Sequence, residues 1–255
     1  MASLSSHYMM NEQFIYPDWP APPNIKALST TRIGGHSLAP YDEFNLGAHV
    51  GDDTDAVQKN RKQLIVSQQL PASPYWLNQT HSTHVINSTE WQQDIEADAM
   101  ISTIHNHICT IMTADCLPIL LCNTQGDIIA ALHAGWRGLA AGILENTINK
   151  FGDEPKNLMV WLGPAIGPTQ FEVGEDVYKV FTTHSPQAQN AFQQTDASHY
   201  LANIYCLAKQ RLNALGVKQI FGGDFCTVTE QQRFFSYRRD GITGRMASMI
   251  WIEPK

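Results

Sequence analysis

Two apolar runs of strand length, residues 118–122 and 128–133, flank the tetrad Asn123-Thr124-Gln125-Gly126, and this spacing constrains the fold more than any other feature of the chain. A connection so short carries turn chemistry and is too brief for the crossover that parallel strands need, so the two runs pair as an antiparallel hairpin. Further strand-length runs fall at residues 27–31, 75–79, 108–113, 158–162, 218–221, 234–237 and 246–252. Helical spacing takes over between them. A first helix runs from a Thr54 or Asp55 cap to Gln68 with Val57, Leu64 and Ile65 inward; a second, on Leu139, Ile143, Leu144, Thr147, Ile148 and Phe151, spans 138–152. Two more are expected at 174–182 and at 200–215, the latter stopped by Gly216. Strands cluster as well as alternate with helices, so the pattern predicts an α+β single domain with mixed, largely antiparallel sheets flanked by helices, not a doubly wound parallel sheet.

Charge and composition narrow the partners. The formal net charge is −7 and no Lys/Arg run forms a stripe, so nucleic acid is not an expected partner. The longest apolar stretches, at 119–121 and 128–132, fall far short of the roughly 20 residues a spanning helix needs, and no membrane association is expected. Residues 1–24 read as an N-terminal extension, partly disordered and without a secretory signal, ahead of one catalytic domain at 25–255. Five cysteines with no CxxC pair argue for a reducing, cytoplasmic setting.

Three residues carry ligand chemistry: His81 in Asn78-Gln79-Thr80-His81, Cys116 in Thr113-Ala114-Asp115-Cys116-Leu117-Pro118, and His133 in His133-Ala134-Gly135-Trp136-Arg137-Gly138. Cys116 and His133 lie at the two ends of the hairpin, which antiparallel pairing sets side by side. Imidazole nitrogen and thiolate suit zinc, and three protein donors leave a fourth position open, as in catalytic rather than structural sites. By spacing alone, a histidine bonded within the core and a packing cysteine remain the simpler reading, and His36, His49, His84, His105 and His107 compete. Arg32, Arg137, Arg238 and Arg239 suit phosphate or carboxylate, and equally suit structural ion pairs. Neither GxGxxG opening a helix nor GxxxxGK[ST] is present, so dinucleotide and P-loop readings lack support.

Taken together, Thr30-Thr31-Arg32-Ile33-Gly34-Gly35, Asn45-Leu46-Gly47, His49-Val50-Gly51-Asp52-Asp53, the three donor segments above with Ala97-Asp98-Ala99-Met100 between the first and second of them, Gly163-Pro164-Ala165-Ile166-Gly167-Pro168, Phe171-Glu172-Val173-Gly174, Phe235-Ser236-Tyr237-Arg238-Arg239-Asp240 and Thr243-Gly244-Arg245 span nearly the whole chain. This series resembles the laccase-domain, or polyphenol oxidoreductase-like, purine nucleoside phosphorylases. The resemblance implies that His81, Cys116 and His133 hold Zn2+, with Cu2+ as the alternative. It implies phosphorolysis of adenosine, inosine, guanosine and S-methyl-5′-thioadenosine, with hydrolytic deamination of adenosine. Arg32 and Arg137 are expected at phosphate or ribose, Asp115 as proton carrier or orienter, and Asn45, Gln79 and Arg239 at substrate. The expected partners are purine nucleosides and phosphate, and the expected state is a monomer.

One departure is visible: Ser82 follows the first histidine, where this family usually has glycine. Other chemistries stay open. Copper-dependent phenol oxidation of the laccase type needs many histidines in HxH pairs, and His105-Asn106-His107 is the single such pair. An amidase that edits peptidoglycan precursors would use Cys116 as nucleophile with a histidine base. A non-catalytic partner protein on an inherited fold is the third class.

Overall fold

The computed structural model describes residues 13–254. In chain order its strands are β1 (Phe14–Ile15), β2 (Ile25–Thr30), β3 (Val85–Asn87), β4 (Ala99–Ser102), β5 (Cys109–Thr113), β6 (Leu117–Asn123), β7 (Ile129–Ala134), β8 (Leu158–Leu162), β9 (Glu172–Gly174), β10 (Phe192–Gln194), β11 (His199–Ala202), β12 (Gln219–Gly222) and β13 (Met246–Ile252). The helices are α1 (Thr54–Ser67), α2 (Trp136–Ala141), α3 (Ile143–Phe151), α4 (Glu175–His184), α5 (Ile204–Ala214) and α6 (Tyr237–Asp240).

Three sheets result, ordered β1-β2-β13-β5, β12-β8-β6-β7-β4-β3 and β10-β11-β9. Most pairings are antiparallel; β12 with β8 and β3 with β4 are parallel. The 118–133 hairpin forms as its spacing demands, with Leu117 opposite Ala134 and Pro118 opposite His133. The architecture is the mixed, largely antiparallel α+β domain that the sequence predicts.

Alternation along the strands builds the layers. Leu117, Ile119 and Leu121 of β6, with Ala130 and Leu132 of β7, turn toward Ile143, Leu144, Leu207 and Leu212 of the helices. The intervening Leu120, Cys122, Ile129 and Ala131 meet Ile111, Ile250 and Ile252 of the four-stranded sheet. Strands buried on both faces read as unbroken apolar runs, which is why β6 shows no polar alternation. The far side of the four-stranded sheet, through Leu28 and Met249, packs on Leu64 of α1. His133 continues the odd-numbered row of β7 and so faces the seam between the two larger sheets.

Several local expectations are corrected. The helix expected over 138–152 is two, α2 and α3, parted at Gly142, whose φ of 103° is left-handed. The segment expected as helix from residue 200 begins as β11, and α5 starts only after Asn203, whose side chain accepts from Cys206 N. Residues 75–79 make only isolated bridges, Tyr75 to Cys109 and Asn78 to Glu96. Residues 234–237 are not a strand: Phe234 and Phe235 are buried in irregular chain, and Ser236 caps α6 by accepting from Arg239 N. Within the stretch assigned to an N-terminal extension, Phe14 and Ile15 pair with Thr30 and Ser29 as an edge strand, while residues 1–12 lie outside the described residues.

Candidate metal centre

Hairpin register does the first part of the assembly. Cys116 immediately precedes β6 and His133 lies near the end of β7, so pairing of Pro118 with His133 brings thiol and imidazole together. His81 arrives from the 78–84 loop with a left-handed φ of 61°, a conformation a residue with a side chain adopts only under constraint. The three donor atoms lie within 4.8 Å of one another. His81 Nε2 is 3.7 Å from Cys116 Sγ, and the two imidazole rings stand 4.7 Å apart at 70°.

This donor set fits a tetrahedral ion. Zinc–nitrogen and zinc–sulfur bonds of about 2.0–2.3 Å put neighbouring donors roughly 3.3–3.6 Å apart, close to the observed histidine–cysteine spacing. The glycine after the hairpin makes room: a Cβ at Gly135 would lie 2.8 Å from Cys116 Sγ and 3.1 Å from His81 Cδ2.

Electrostatics favours the thiolate of Cys116 and pairs it with a protonated His133, whose Nε2 proton an ion would have to displace. Burial pushes the Cys116 thiol up, but the imidazoles of His133 and His81 outweigh it and hold the thiol down to about 6. Burial likewise opposes charge on His133, yet the facing Cys116 and the carboxylate of Asp98 raise it to about 9. His133 Nδ1 lies 2.7 Å from Asp98 Oδ1, which leaves Nε2 for the centre. Asp98 is fully buried and, against its burial, is held near 2 by bonds from His133 and Ser82.

A cavity of about 450 Å³ opens over these donors, within the range of small-molecule sites. Trp136, Phe171 and Tyr237 supply aromatic walls, and Arg137, Arg238 and Arg245 supply charge. The eight arginines of the chain divide sharply. Arg32, Arg211, Arg233 and Arg239 pair with carboxylates. Arg61, Arg137, Arg238 and Arg245 have no such pair among the described residues, and the last three line the cavity. Asp115, the one acidic side chain lining it, is occupied: its carboxylate accepts from Thr227 Oγ1 at 2.5 Å, Ser236 Oγ at 3.1 Å and Arg238 N at 2.6 Å. The cleft is therefore a cationic pocket in an acidic protein.

The residues singled out from sequence separate into those the fold gathers and those it does not. His81, Cys116, His133, Asp115, Gln79 and Arg137 line the cavity. Gln79 spends its amide on the backbone of Met112, donating to O and accepting from N, both at 2.8 Å. Arg137 stacks over Trp136 at 4.4 Å. Three others are not among the lining residues. Arg32 pairs with Asp42 and lies over Phe235, because the 32–44 loop folds back on itself. Arg239 donates to the carbonyls of Thr227, Val228 and Phe234 and pairs with Asp240. Asn45 is fully buried, accepting from Gly47 N and Arg245 N and donating to Asp52, so it braces Arg245 from behind.

Sequence reasoning gave no role to Tyr237, Arg245 or Asp98, and it took His49 only as a competing histidine, whereas all but Asp98 line the cavity. The signal for Asp98 was present: a lone acid inside the apolar run Ala97-Asp98-Ala99-Met100-Ile101 has to be buried and multiply bonded. Ser82, the departure noted above, bonds Asp98 through both its amide and its hydroxyl. His107 meets Ser88 and the edge of Tyr75, a packing arrangement.

Residues 26–253 match the family model described as multi-copper polyphenol oxidoreductase laccase. A protein of Escherichia coli (strain K12) named purine nucleoside phosphorylase YfiH is 54% identical over 241 residues, covering 94% of this chain and 99% of that one. A purine nucleoside phosphorylase of Haemophilus influenzae is 51% identical over 243 residues, with 94% and 100% covered. Among solved structures, Neisseria meningitidis protein NMB0706 superposes with a TM-score of 0.91 at 48% identity, covering 95% of this chain and 100% of its own. YlmD from Geobacillus stearothermophilus follows the same fold with a TM-score of 0.86 at 28% identity, 92% and 94% covered.

Proposed function

Because the chain belongs to the multi-copper polyphenol oxidoreductase laccase family and its relatives carry the name purine nucleoside phosphorylase, we propose that it is a zinc-dependent purine nucleoside phosphorylase. Its substrates under this reading are adenosine, inosine, guanosine and S-methyl-5′-thioadenosine with phosphate, and it also deaminates adenosine. One observation carries the proposal: a single cleft joins the donor triad to three arginines that form no ion pair with a carboxylate among the described residues.

Phosphorolysis makes a bond from a phosphate oxygen to C1′ of the ribose and breaks the bond from C1′ to the purine nitrogen. The electron pair leaves with the base, which takes up a proton, and ribose 1-phosphate remains. The transition state carries positive charge on the sugar next to a phosphate, so the protein has to hold the anion without burying unpaired charge. Arg137, Arg238 and Arg245 supply planar donors suited to phosphate oxygens. Trp136, Phe171 and Tyr237 offer flat apolar faces for a purine. When bound at His81, Cys116 and His133, an ion supplies a Lewis acid with an open position.

A second reading has one observation in its favour. Cys116 is a low-pKa thiol facing two imidazoles, which is also the arrangement of a cysteine nucleophile in an amidase. Metal content separates the two, since a thiolate engaged by stoichiometric zinc is not free to attack.

The test is to incubate zinc-replete protein with adenosine, with and without phosphate, and to follow adenine and inosine by chromatography. Phosphate-dependent adenine is expected, with inosine as a second product, and Cys116→Ala is expected to abolish both. A zinc-loaded protein that yields neither product overturns the proposal.

A further inference from the structure

Asp98 lies where the two histidine-bearing segments meet. It immediately precedes β4, which pairs antiparallel with β7, and its carbonyl accepts from His133 N at 2.7 Å. On its other side the amides of Asp98 and Ala99 both bond His84 O, so the 80–84 loop arches over its side chain.

The carboxylate divides its bonds between the two. Oδ1 accepts from His133 Nδ1 at 2.7 Å and from His81 N at 3.0 Å. Oδ2 accepts from Ser82 N and Ser82 Oγ, each at 2.7 Å, and from Thr80 N at 3.2 Å. Three consecutive amides, those of Thr80, His81 and Ser82, thus converge on one buried anion.

We infer that Asp98 is the positioning residue that sets two of the three metal donors at once. For His133, a carboxylate at Nδ1 keeps the proton on that nitrogen and leaves Nε2 as the donor lone pair, fixing ring orientation as well as tautomer. For His81 the effect runs through the backbone. The left-handed φ of 61° costs free energy, and the converging amides hold the loop in that kink, which turns the imidazole to within 3.7 Å of Cys116 Sγ. Ser82 Oγ joins the same anchor, so a side chain outside the donor set tunes it.

This inference rests on the reading of His81, Cys116 and His133 as donors, and the experiment keeps the two apart. Apo protein, Asp98→Asn and Ser82→Ala are titrated with Zn2+ against a chromophoric chelator. Each is then loaded with Co2+ and its visible spectrum recorded, and the melting temperature of each apo form is measured. An amide accepts at one oxygen only and turns N–H groups toward the other donors, so Asp98→Asn is expected to weaken zinc binding about 10- to 100-fold, the usual range for groups behind metal ligands. Its cobalt bands are expected to shift in position and intensity. Ser82→Ala removes the hydroxyl's bond to Asp98 and the one it accepts from His84 N, and is expected to weaken zinc binding roughly 2- to 10-fold.

A buried acid that merely supports the fold would lower the apo melting temperature and leave zinc affinity and the cobalt spectrum alone; that result overturns the inference while the donor reading stands. Parent protein that takes up neither ion overturns both. If Asp98→Asn does not fold, Ser82→Ala decides by the same two readouts.

Discussion

Replacing Gly135 by alanine separates the geometry of the donors from the fold that carries them. Gly135 has φ −59° and ψ 159°, an extended conformation open to any L-residue, so the substitution brings no backbone strain. The added methyl would lie 2.8 Å from Cys116 Sγ and 3.1 Å from His81 Cδ2. Carbon contacts settle near 3.5 Å or beyond, so the sulfur has to retreat by about 0.7 Å and the ring by about 0.4 Å. Ligand distances hold to within roughly 0.2 Å, so a displacement of that size opens the triad. Zinc affinity is expected to fall by at least about 100-fold, the upper end of what disturbing groups behind the ligands does. The fold should lose only about 1–3 kcal/mol, the usual cost of overpacking. Chelator competition and the melting temperature of the apo protein read the two effects independently, and adenosine turnover should follow the metal-loaded fraction. A Gly135→Ala protein that binds zinc as tightly as its parent refutes this reasoning, because the methyl would then have found room that the triad does not leave.

Removing one cleft guanidinium with Arg245→Met should raise KM for phosphate about 10- to 100-fold, the value of a charge-assisted bond, whereas Arg233→Met, paired with Glu230 away from the cleft, should leave it unchanged. Equal effects in steady-state kinetics would remove the arginines from anion binding. Asn45→Ala strands the amides of Gly47 and Arg245, costing about 1–3 kcal/mol for each buried group left unbonded, and a thermal melt should register a loss of several degrees. An unchanged melt would show that the brace is dispensable. His49 is held below its ordinary 6.5 by burial first and then by Arg245 and Arg61. The unfolded chain thus takes up this proton more readily, and the stability His49 contributes is full above pH 6.5 and declines as pH falls through the folded value. NMR titration of the ring should place its midpoint below 6.5 and Arg245→Met should move it up, while a midpoint at or above 6.5 contradicts the burial argument.

The hairpin of β6 and β7 was legible because turn chemistry and apolar runs agree there, and it alone brings Cys116 beside His133. The break at Gly142 was not legible, since apolar periodicity runs through it from Leu139 to Phe151 and only the left-handed glycine parts the helices. The same applies at Tyr200 and Leu201, which continue a helical pattern backward but lie in β11; Asn203 is the sole local sign of where the helix starts. The small sheet of β9, β10 and β11 was missed because its strands are only three or four residues long and partly exposed, as at Gln193 and Gln194, too short to show an alternation. In the site, donor chemistry could be read from residue type, whereas the arginines could not be sorted. Arg238 and Arg239 are neighbours, yet on the single turn of α6 one faces the cleft and the other the carbonyls of Thr227 and Phe234. Which guanidinium finds a carboxylate is decided by tertiary contacts, as Asp42 decides it for Arg32.

The place of β13 bears on when a newly made chain can act. That strand is synthesised after every other element of the three sheets, yet it lies between β2 and β5 and not at a margin. Until it inserts, β2 and β5 have no common neighbour, and the end of β5 is tied through the bonds of Gln79 to Met112 but lacks its β13 ladder. Arg245, one residue ahead of β13, arrives with it. The cleft is therefore complete only once β13 has docked, and whatever unseats that strand also withdraws Arg245 from the pocket wall.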